Sequence, residues 1–221
     1  MRESFLKRHR AIFAASAAVL TLAILPFVSE RCAASKSDVR VRFFAPARGA
    51  SALISGRDGR RILIDAAPDA TALEGLADAM PWWNRKIDVF LVARPDAEQE
   101  PVFLSIVRRY HVKEIWWTGY APVGEPWRRL AADVQASGIP SRAVGAGDRL
   151  EFSGGARFEI TAPDTFAPGR LLKKSEAADS GIAGKFVCGT DVLAFGPFLA
   201  RRPDARAGRE YACSGGKLTQ R

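Results

Sequence analysis

The residues of this chain that could do chemistry are few, and several lie in one short acidic stretch. Asp96, Glu98 and Glu100 follow a continuous apolar run at residues 87–93. Carboxylate oxygens at this spacing are ligands that a hard cation accepts. Acidic loops of this kind are more often only solvated. The sequence therefore leaves both interpretations open, a cation site or a charged surface loop.

Histidine and cysteine are scarce. The 221 residues include two His and three Cys, which excludes a zinc cluster built on repeated Cys or His ligands. His111 is the only histidine beyond the N-terminal segment, and we interpret it as a boundary or surface residue between a helix and a strand. Cys188 and Cys213 could be bridged in an oxidising compartment or remain as two unpaired buried thiols, and the sequence favours the unpaired thiols.

The chain is basic, with a formal net charge of +9. Beyond residue 34 there are 28 basic and 22 acidic residues, a net charge of +6. Phosphate neutralisation and base stacking would use such cations together with the five tryptophans, whereas ordinary solvated charge is the alternative. We take Arg128, Arg129, Lys173 and Lys174 as candidates for weak, sequence-independent nucleic-acid binding. Basic pairs occur at 60–61, 85–86, 108–109, 128–129, 173–174 and 201–202.

Residues 1–34 form a predicted export segment. Four cations within Met1–Arg10 precede Ala11–Val28, which has 18 residues and no charge. As a helix this run would be ~27 Å long, close to the thickness of a bilayer core, which favours an uncleaved transmembrane anchor. The positive-inside rule then places residues 35–221 outside the cytoplasm. Cleavage after Cys32-Ala33-Ala34, which would give a secreted protein, and a buried core helix are the alternatives.

The rest of the chain alternates between the period of strands and the period of helices. Gly56-Arg57-Asp58-Gly59 is a turn signal between two short strands, which predicts an opening hairpin. Strand-helix units follow, and hairpins close the chain, so we predict two sheets with helices outside them, an α/β sandwich. Strands are predicted at 39–44, 51–54, 61–64, 87–93, 112–118, 148–152, 156–162, 184–188 and 191–195, helices at 71–80, 101–110 and 125–137, and a loop at 166–180.

Several of these segments resemble, in order and spacing, the αββα sandwich of the metallo-β-lactamase fold. The resemblance covers roughly Val39 to Phe198, and within the superfamily it is nearest to the extracytoplasmic domain of the ComEC family of DNA-uptake proteins. The segments that carry it are Arg61-Ile62-Leu63-Ile64-Asp65, Lys86 through Glu98, Gly138-Ile139-Pro140 and Ala146 through Glu151.

The resemblance implies a metal centre whose ligands this chain largely lacks. The family's His-rich loop after the buried strand corresponds to positions where only Asp96 is a ligand of the expected type, and Pro197 replaces a metal-bridging carboxylate. A His-containing strand end has no counterpart near Tyr211, so the sandwich is predicted to be trimmed at its C-terminus. Arg94 is expected to pair with Asp65 or Asp96, and a solvent-exposed Arg94 without such a pair is the alternative. The vestigial motif positions are Asp65, Arg94, Asp96, Glu98, Gln99 and Pro197.

We therefore predict a metallo-β-lactamase-like pseudoenzyme without metal or other cofactor. It would be held at the cell membrane by its N-terminal helix and act as a binding or scaffolding module, with a link to DNA uptake implied by the resemblance. Its expected partners are the membrane, a protein and, weakly, nucleic acid. The alternative is a residual metal-dependent hydrolase or nuclease of the ComEC type.

Overall fold

The computed structural model describes residues 38–44, 51–65, 71–93, 100–119, 121–122, 125–164, 171–172, 181–196 and 209–221. The predicted N-terminal segment and the predicted boundary between residues 34 and 35 lie outside these ranges. Within them, no helix is both long and apolar enough to cross a membrane.

The described residues form strands and helices in the predicted alternation. The described ranges contain three α-helices, α1 (Thr71–Ala79), α2 (Glu100–Arg109) and α3 (Glu125–Ala136), and one short 3-10 helix at Ser153–Gly155. The strands are β1 (Val39–Phe44), β2 (Ser51–Gly56), β3 (Arg61–Ile64), β4 (Lys86–Val92), β5 (His111–Trp117), β6 (Ala121–Pro122), β7 (Ser141–Ala143), β8 (Arg149–Glu151), β9 (Arg157–Ala162), β10 (Leu171–Leu172), β11 (Ala183–Cys188), β12 (Asp191–Phe195), β13 (Glu210–Ser214) and β14 (Lys217–Gln220).

The larger sheet has eight strands in the order β14-β13-β1-β2-β3-β4-β5-β7. Strands β3, β4, β5 and β7 are mutually parallel, and β1 and β2 pair antiparallel beside them. Because β1 runs in the same direction as β3, both begin at the same edge of the sheet. Strands β4 and β5 also begin there, since Lys86 is the register partner of His111. The other edge carries the carboxyl ends of these strands.

The helices cover one face of the larger sheet. Side chains from all three helices pack with the outer-face residues of β2 to β5 in one buried cluster, in which the rings of Phe90 and Phe103 stack with their centroids 5.4 Å apart. Pro101 and Pro126 stand in the first turns of α2 and α3, where a missing backbone N–H costs little. Gly138, at a φ of +64°, follows α3 and allows the chain to reverse into β7.

A second sheet, in the order β12-β11-β9-β8, packs on the other face. The core between the sheets is rich in aromatic rings. Phe195 of β12 stacks on Phe43 of β1 at 5.5 Å and meets Phe158 of β9 edge to face at 5.4 Å. A short parallel pair of β6 and β10 forms a separate two-stranded sheet. The predicted α/β class is confirmed, and this architecture is consistent with the predicted metallo-β-lactamase-like sandwich, of which the described residues show three layers.

The local predictions agree with the structure to within one or two residues at most element ends. The predicted loop at 166–180 is wrong at Leu171–Leu172, which form β10 against β6. Sequence reasoning also missed β7 and the C-terminal hairpin of β13 and β14. That hairpin extends the larger sheet beside β1. These strands have few residues or mixed burial, so they lack a clear period in the sequence.

Candidate functional site

The carboxyl edge of the parallel strands holds a single described carboxylate of the vestigial motif, Asp65. It follows β3 directly and adopts a φ of +54°, which is uncommon for a residue other than glycine. Its backbone N–H donates to the Leu91 carbonyl at 2.9 Å, and its Oδ1 accepts the backbone N–H of Ala93 at 2.8 Å. Asp65 is only 7% exposed. Its side chain therefore joins the ends of β3 and β4.

The same edge is closed further by backbone contacts and small side chains. The Ala93 carbonyl accepts the Ile182 N–H at 2.7 Å, which connects the end of β4 to the segment preceding β11. Thr118, after β5, is fully buried. The Val144 N–H donates to the Trp117 carbonyl at 2.9 Å, which continues the pairing beyond β7.

Trp116 lies between the sheets close to this edge. Its indole Nε1 is buried and has no hydrogen-bond partner among the described residues. The Arg142 guanidinium lies 4.6 Å from the centre of its ring, within the distance of a cation-π interaction. Arg142 also pairs with Asp148 at 2.7 Å and with Glu114 at 3.3 Å. The indole N–H and the guanidinium are both hydrogen-bond donors, so neither can ligate a metal.

The described residues at this edge do not fit the metal that the resemblance to the metallo-β-lactamase fold implies. No group of three or more His, Cys, Asp or Glu side chains within the described ranges is arranged to hold a metal ion. The one described carboxylate of the motif already accepts a backbone hydrogen bond, and the orphaned polar atom nearby is a donor. Metal ligation requires lone pairs. We therefore derive no reaction step through a metal at this edge.

The other predicted motif positions fall outside the part of the chain that the structure describes. Arg94, Asp96, Glu98, Gln99 and Pro197 lie outside the described residues, as do the nucleic-acid candidates Lys173 and Lys174. The predicted pairing of Arg94 with Asp65 or Asp96 therefore remains a prediction.

The nucleic-acid candidates on α3 have acidic neighbours. Arg128 and Arg129 are exposed, and both form ion pairs with Glu125, at 2.9 and 3.7 Å. Pairs of this kind, three and four residues apart, are ordinary for a solvated helix face. They do not join the motif at the carboxyl edge.

The opposite, amino edge of the parallel strands brings together three of the basic pairs. Each pair stands just before or at the start of a parallel strand, so the topology places all of them at one edge. Asp88 in β4 is the acidic centre of this edge. Its carboxylate accepts from Lys86 Nζ at 2.9 Å, Lys113 Nζ at 3.3 Å and the Arg61 backbone N–H at 3.0 Å. The pairs are Arg60–Arg61, Arg85–Lys86 and Arg108–Arg109.

The titration of these groups reflects that cluster. Burial raises the pKa of Asp88, but the hydrogen bonds from Lys86, from the Arg61 backbone and from Lys113 outweigh it, so the net pKa is lowered. The hydrogen bond to Asp88 raises the pKa of Lys86. Desolvation lowers the pKa of Arg61, which Asp88 partly opposes. The cluster is therefore charged at neutral pH, with more cations than carboxylates.

Sequence reasoning singled out cations on α3 and missed this edge as a site. The amino edge also carries an exposed pair of aromatic side chains. Trp82 and Trp83 follow α1 and are 77% and 62% exposed, and their rings meet edge to face at 5.6 Å. The Asn84 N–H donates to the Pro81 carbonyl at 3.0 Å, which closes a turn around them. The signal that could have found the site is the repeated placement of a basic pair at or just before the start of β3, β4 and β5, three of the four parallel strands.

Cys188 and Cys213 form a disulfide, with Cα atoms 5.9 Å apart. Cys188 ends β11 of the smaller sheet and Cys213 lies in β13 of the larger one, and both are buried. The bond therefore links the two sheets covalently. Nearby, the Leu218 N–H donates to Asp191 Oδ2 at 2.8 Å, which adds a hydrogen bond between the same two hairpins.

Comparison with known proteins gives structural neighbours only. No protein-family model matches the chain, and no curated protein matches it. Among solved structures, CmlA, a diiron β-hydroxylase from Streptomyces venezuelae, aligns at 15% identity with a TM-score of 0.40 over 71% of this chain. A mutant of the same β-hydroxylase gives 15% identity and a TM-score of 0.41 over 70%. The aligned part is 29% of each of those chains, and at these scores the likeness carries no argument about chemistry.

Proposed function

We propose that this protein is an exported, membrane-tethered module of the metallo-β-lactamase-like type that has lost the family's metal centre and serves in binding or scaffolding. The observation that carries the proposal is the hydrogen bond from Ala93 N to Asp65 Oδ1, 2.8 Å long. The carboxylate of Asp65, which the resemblance would place at a metal centre, instead accepts a hydrogen bond that joins the ends of two strands. The replacement of neighbouring ligand positions by Arg94 and Pro197 in the sequence points the same way.

The Cys188–Cys213 disulfide supports the exported location. Disulfides persist in oxidising compartments and are rare in the cytosol. Together with the uncharged run at 11–28, it favours a domain outside the cytoplasm. A reporter enzyme that works only outside the cytoplasm should be active when fused after Arg221. Activity restricted to a cytoplasmic reporter would contradict this location.

Metal analysis of the full chain tests the loss of the metal centre. The protein is extracted from membranes in mild detergent without chelators, and zinc, iron and manganese are measured per chain. We expect each to lie far below one equivalent. One equivalent that is lost in Asp96→Ala and retained in the matched surface variant Glu125→Ala would contradict the proposal and favour the metal-dependent hydrolase.

Phosphodiester hydrolysis supplies an independent test. The full chain should not cleave a chromogenic phosphodiester above background when magnesium or manganese is supplied. Metal-dependent cleavage that Asp96→Ala abolishes would restore the hydrolase or nuclease of the ComEC type. The narrower link to DNA uptake remains a prediction that only a partner or a phenotype would support.

A further inference from the structure

The amino edge of the parallel strands combines exposed indole rings with excess positive charge. Trp82 and Trp83 are, with Val192, the large hydrophobic side chains that stand exposed among the described residues. Monomeric surfaces seldom present two adjacent tryptophans to water, and exposed apolar patches mark interaction sites. The two rings lie on a turn next to Arg85, which is also exposed. This is the combination of an apolar anchor and neighbouring cations.

We infer that this edge docks on the surface of a bilayer containing anionic phospholipids, with Trp82 and Trp83 in the interfacial layer and the basic residues against the headgroup phosphates. Tryptophan suits that layer because its ring is apolar while its N–H remains able to donate a hydrogen bond. Each cation close to an anionic leaflet adds attraction.

The charges around the indole pair are suited to phosphate. Arg85 lies over the Tyr110 ring at 5.9 Å, which holds its guanidinium beside the strand ends. Lys86 and Lys113 share the single carboxylate of Asp88, so the cluster keeps a net positive charge. A groove of about 670 Å³ opens next to them. Its lining includes the cations of Arg108 and Lys113, the imidazole of His111 and, with the opposite charge, Asp133. The groove offers room for a headgroup between these cations.

The first described strand begins at the same amino edge. Asp38 is the first described residue, and its N–H donates to the Cys213 carbonyl at 2.8 Å as β1 begins. Strand β1 starts at the amino edge, alongside β3. The uncharged run ends at Val28, ten residues earlier in the sequence. A chain that enters the domain at this edge from a bilayer would favour membrane contact here.

The geometry favours lipid over single-stranded nucleic acid. Successive bases stack on exposed flat ring faces. Trp82 and Trp83 meet at an interplanar angle of 90°, so the edge of one ring is directed at the face of the other. An interfacial anchor needs only the buried area and the amphipathic character of the rings. Nucleic acid is therefore treated as a competing outcome of the test.

The inference deepens the proposed membrane tethering and does not depend on the loss of the metal centre. The test uses the full chain reconstituted in lipid nanodiscs with brominated acyl chains, which quench tryptophan at the interface. We expect quenching to be strong when phosphatidylglycerol is included and weak in phosphatidylcholine alone. Trp82→Phe with Trp83→Phe should remove the quenched emission, while Trp117→Phe, at a half-buried position, should leave it in place.

A second pair of variants keeps both tryptophans and tests the charges. Arg85→Gln with Lys113→Gln should lower the docking equilibrium by about fivefold for each charge removed. Arg128→Gln with Arg129→Gln removes the same number of positive charges, but from α3, and should have little effect on the docking equilibrium. Equal losses in the two double variants would contradict docking through this edge. Far-ultraviolet circular dichroism would show that all variants are folded.

The outcomes separate this inference from the proposed function. Protein that resists a carbonate wash but shows no quenching from Trp82 and Trp83 would overturn the docking edge and leave the tether intact. Protein released by the wash would overturn the tether, and the edge would then be tested with brominated vesicles added from outside. Quenching of the same two tryptophans by a single-stranded oligonucleotide, with none by lipid, would assign the edge to nucleic acid and overturn the inference.

Discussion

The two edges of the parallel strands differ in what holds their charged groups. At the carboxyl edge, Asp65 is buried and its carboxylate accepts a backbone N–H from the neighbouring strand. At the amino edge, Asp88 accepts from two lysines at 2.9 and 3.3 Å, and Trp82 and Trp83 stand exposed beside it. The first edge, as far as the structure describes it, is closed by internal bonds. The second presents cations and aromatic rings to the exterior.

If the amino edge docks on a bilayer as proposed above, recognition in this chain lies away from the edge where this class of fold usually binds ligands. In open α/β sheets, ligands are usually bound at the carboxyl ends of the strands. In this chain the described part of that edge has a structural use, and the residues suited to recognition lie at the opposite end of the same strands. Substitutions at the two edges should therefore differ in kind, affecting stability at one and binding at the other.

The largest expected effect is at the carboxyl edge. Asp65→Ala removes the acceptor of a buried N–H and places alanine at a φ of +54°, so we expect a loss of about 3 kcal/mol in the free energy of unfolding. Asp65→Asn retains an acceptor and tolerates that φ, so it should lose much less. Urea denaturation measures both. Equal losses would mean that the charge of Asp65 matters more than its hydrogen bond.

The next effect concerns the acidic centre of the amino edge. Asp88→Ala leaves the Arg61 N–H without its acceptor and leaves neighbouring cations to repel one another, which should cost about 1 kcal/mol. Asp88→Asn should cost less, because an amide oxygen can still accept from that N–H. If Asp88→Ala destabilised the protein more than Asp65→Ala in urea, the contrast between the edges would be wrong.

The pH dependence of stability should follow from the same carboxylate. Because the folded-state pKa of Asp88 is lowered, its stabilisation is fully present above its unfolded pKa of about 3.9 and is lost as the pH falls through that value toward the folded pKa. Hydrogen bonds from Arg157 and Lys185 lower the pKa of Glu159, which therefore contributes in the same direction. Unfolding measured at pH 5.5 and at pH 3 should show a smaller loss for Asp88→Asn than for the wild type.

The smallest effect on stability is expected for Trp82 and Trp83, whose loss should have the largest effect on docking to a bilayer. Trp82→Ser with Trp83→Ser changes two exposed side chains, so the free energy of unfolding should change by less than about 0.5 kcal/mol. Thermal unfolding in detergent measures this change. A large destabilisation would show that the indole pair supports the fold, which would weaken its assignment to a partner.

Much of the architecture could be predicted from the sequence because it rests on local periodicity. The apolar run at 87–93 predicted β4, and the helical spacing at 71–80 and 125–137 predicted α1 and α3, with ends that differ from the structure by one residue at most. Strands of two or three residues, such as β6, β7 and β10, carry no period that local pattern can detect. The hairpin of β13 and β14 has mixed burial because it lies at the sheet's end, so its pairing with β1 depends on distant contacts.

The candidate site also combines features that the sequence determined with features that only the tertiary structure decided. The sequence by itself determined that the family's His ligands are absent, because residue identity alone decides whether a side chain has a lone pair for a metal. It left open whether Cys188 and Cys213 are bridged and could not state what Asp65 contacts. Tertiary structure decided both, and it gathered three separate basic pairs beside Trp82 and Trp83. Parallel strands do this because their starts meet at one edge, so basic pairs that are 22 or more residues apart in sequence become neighbours only when the sheet forms.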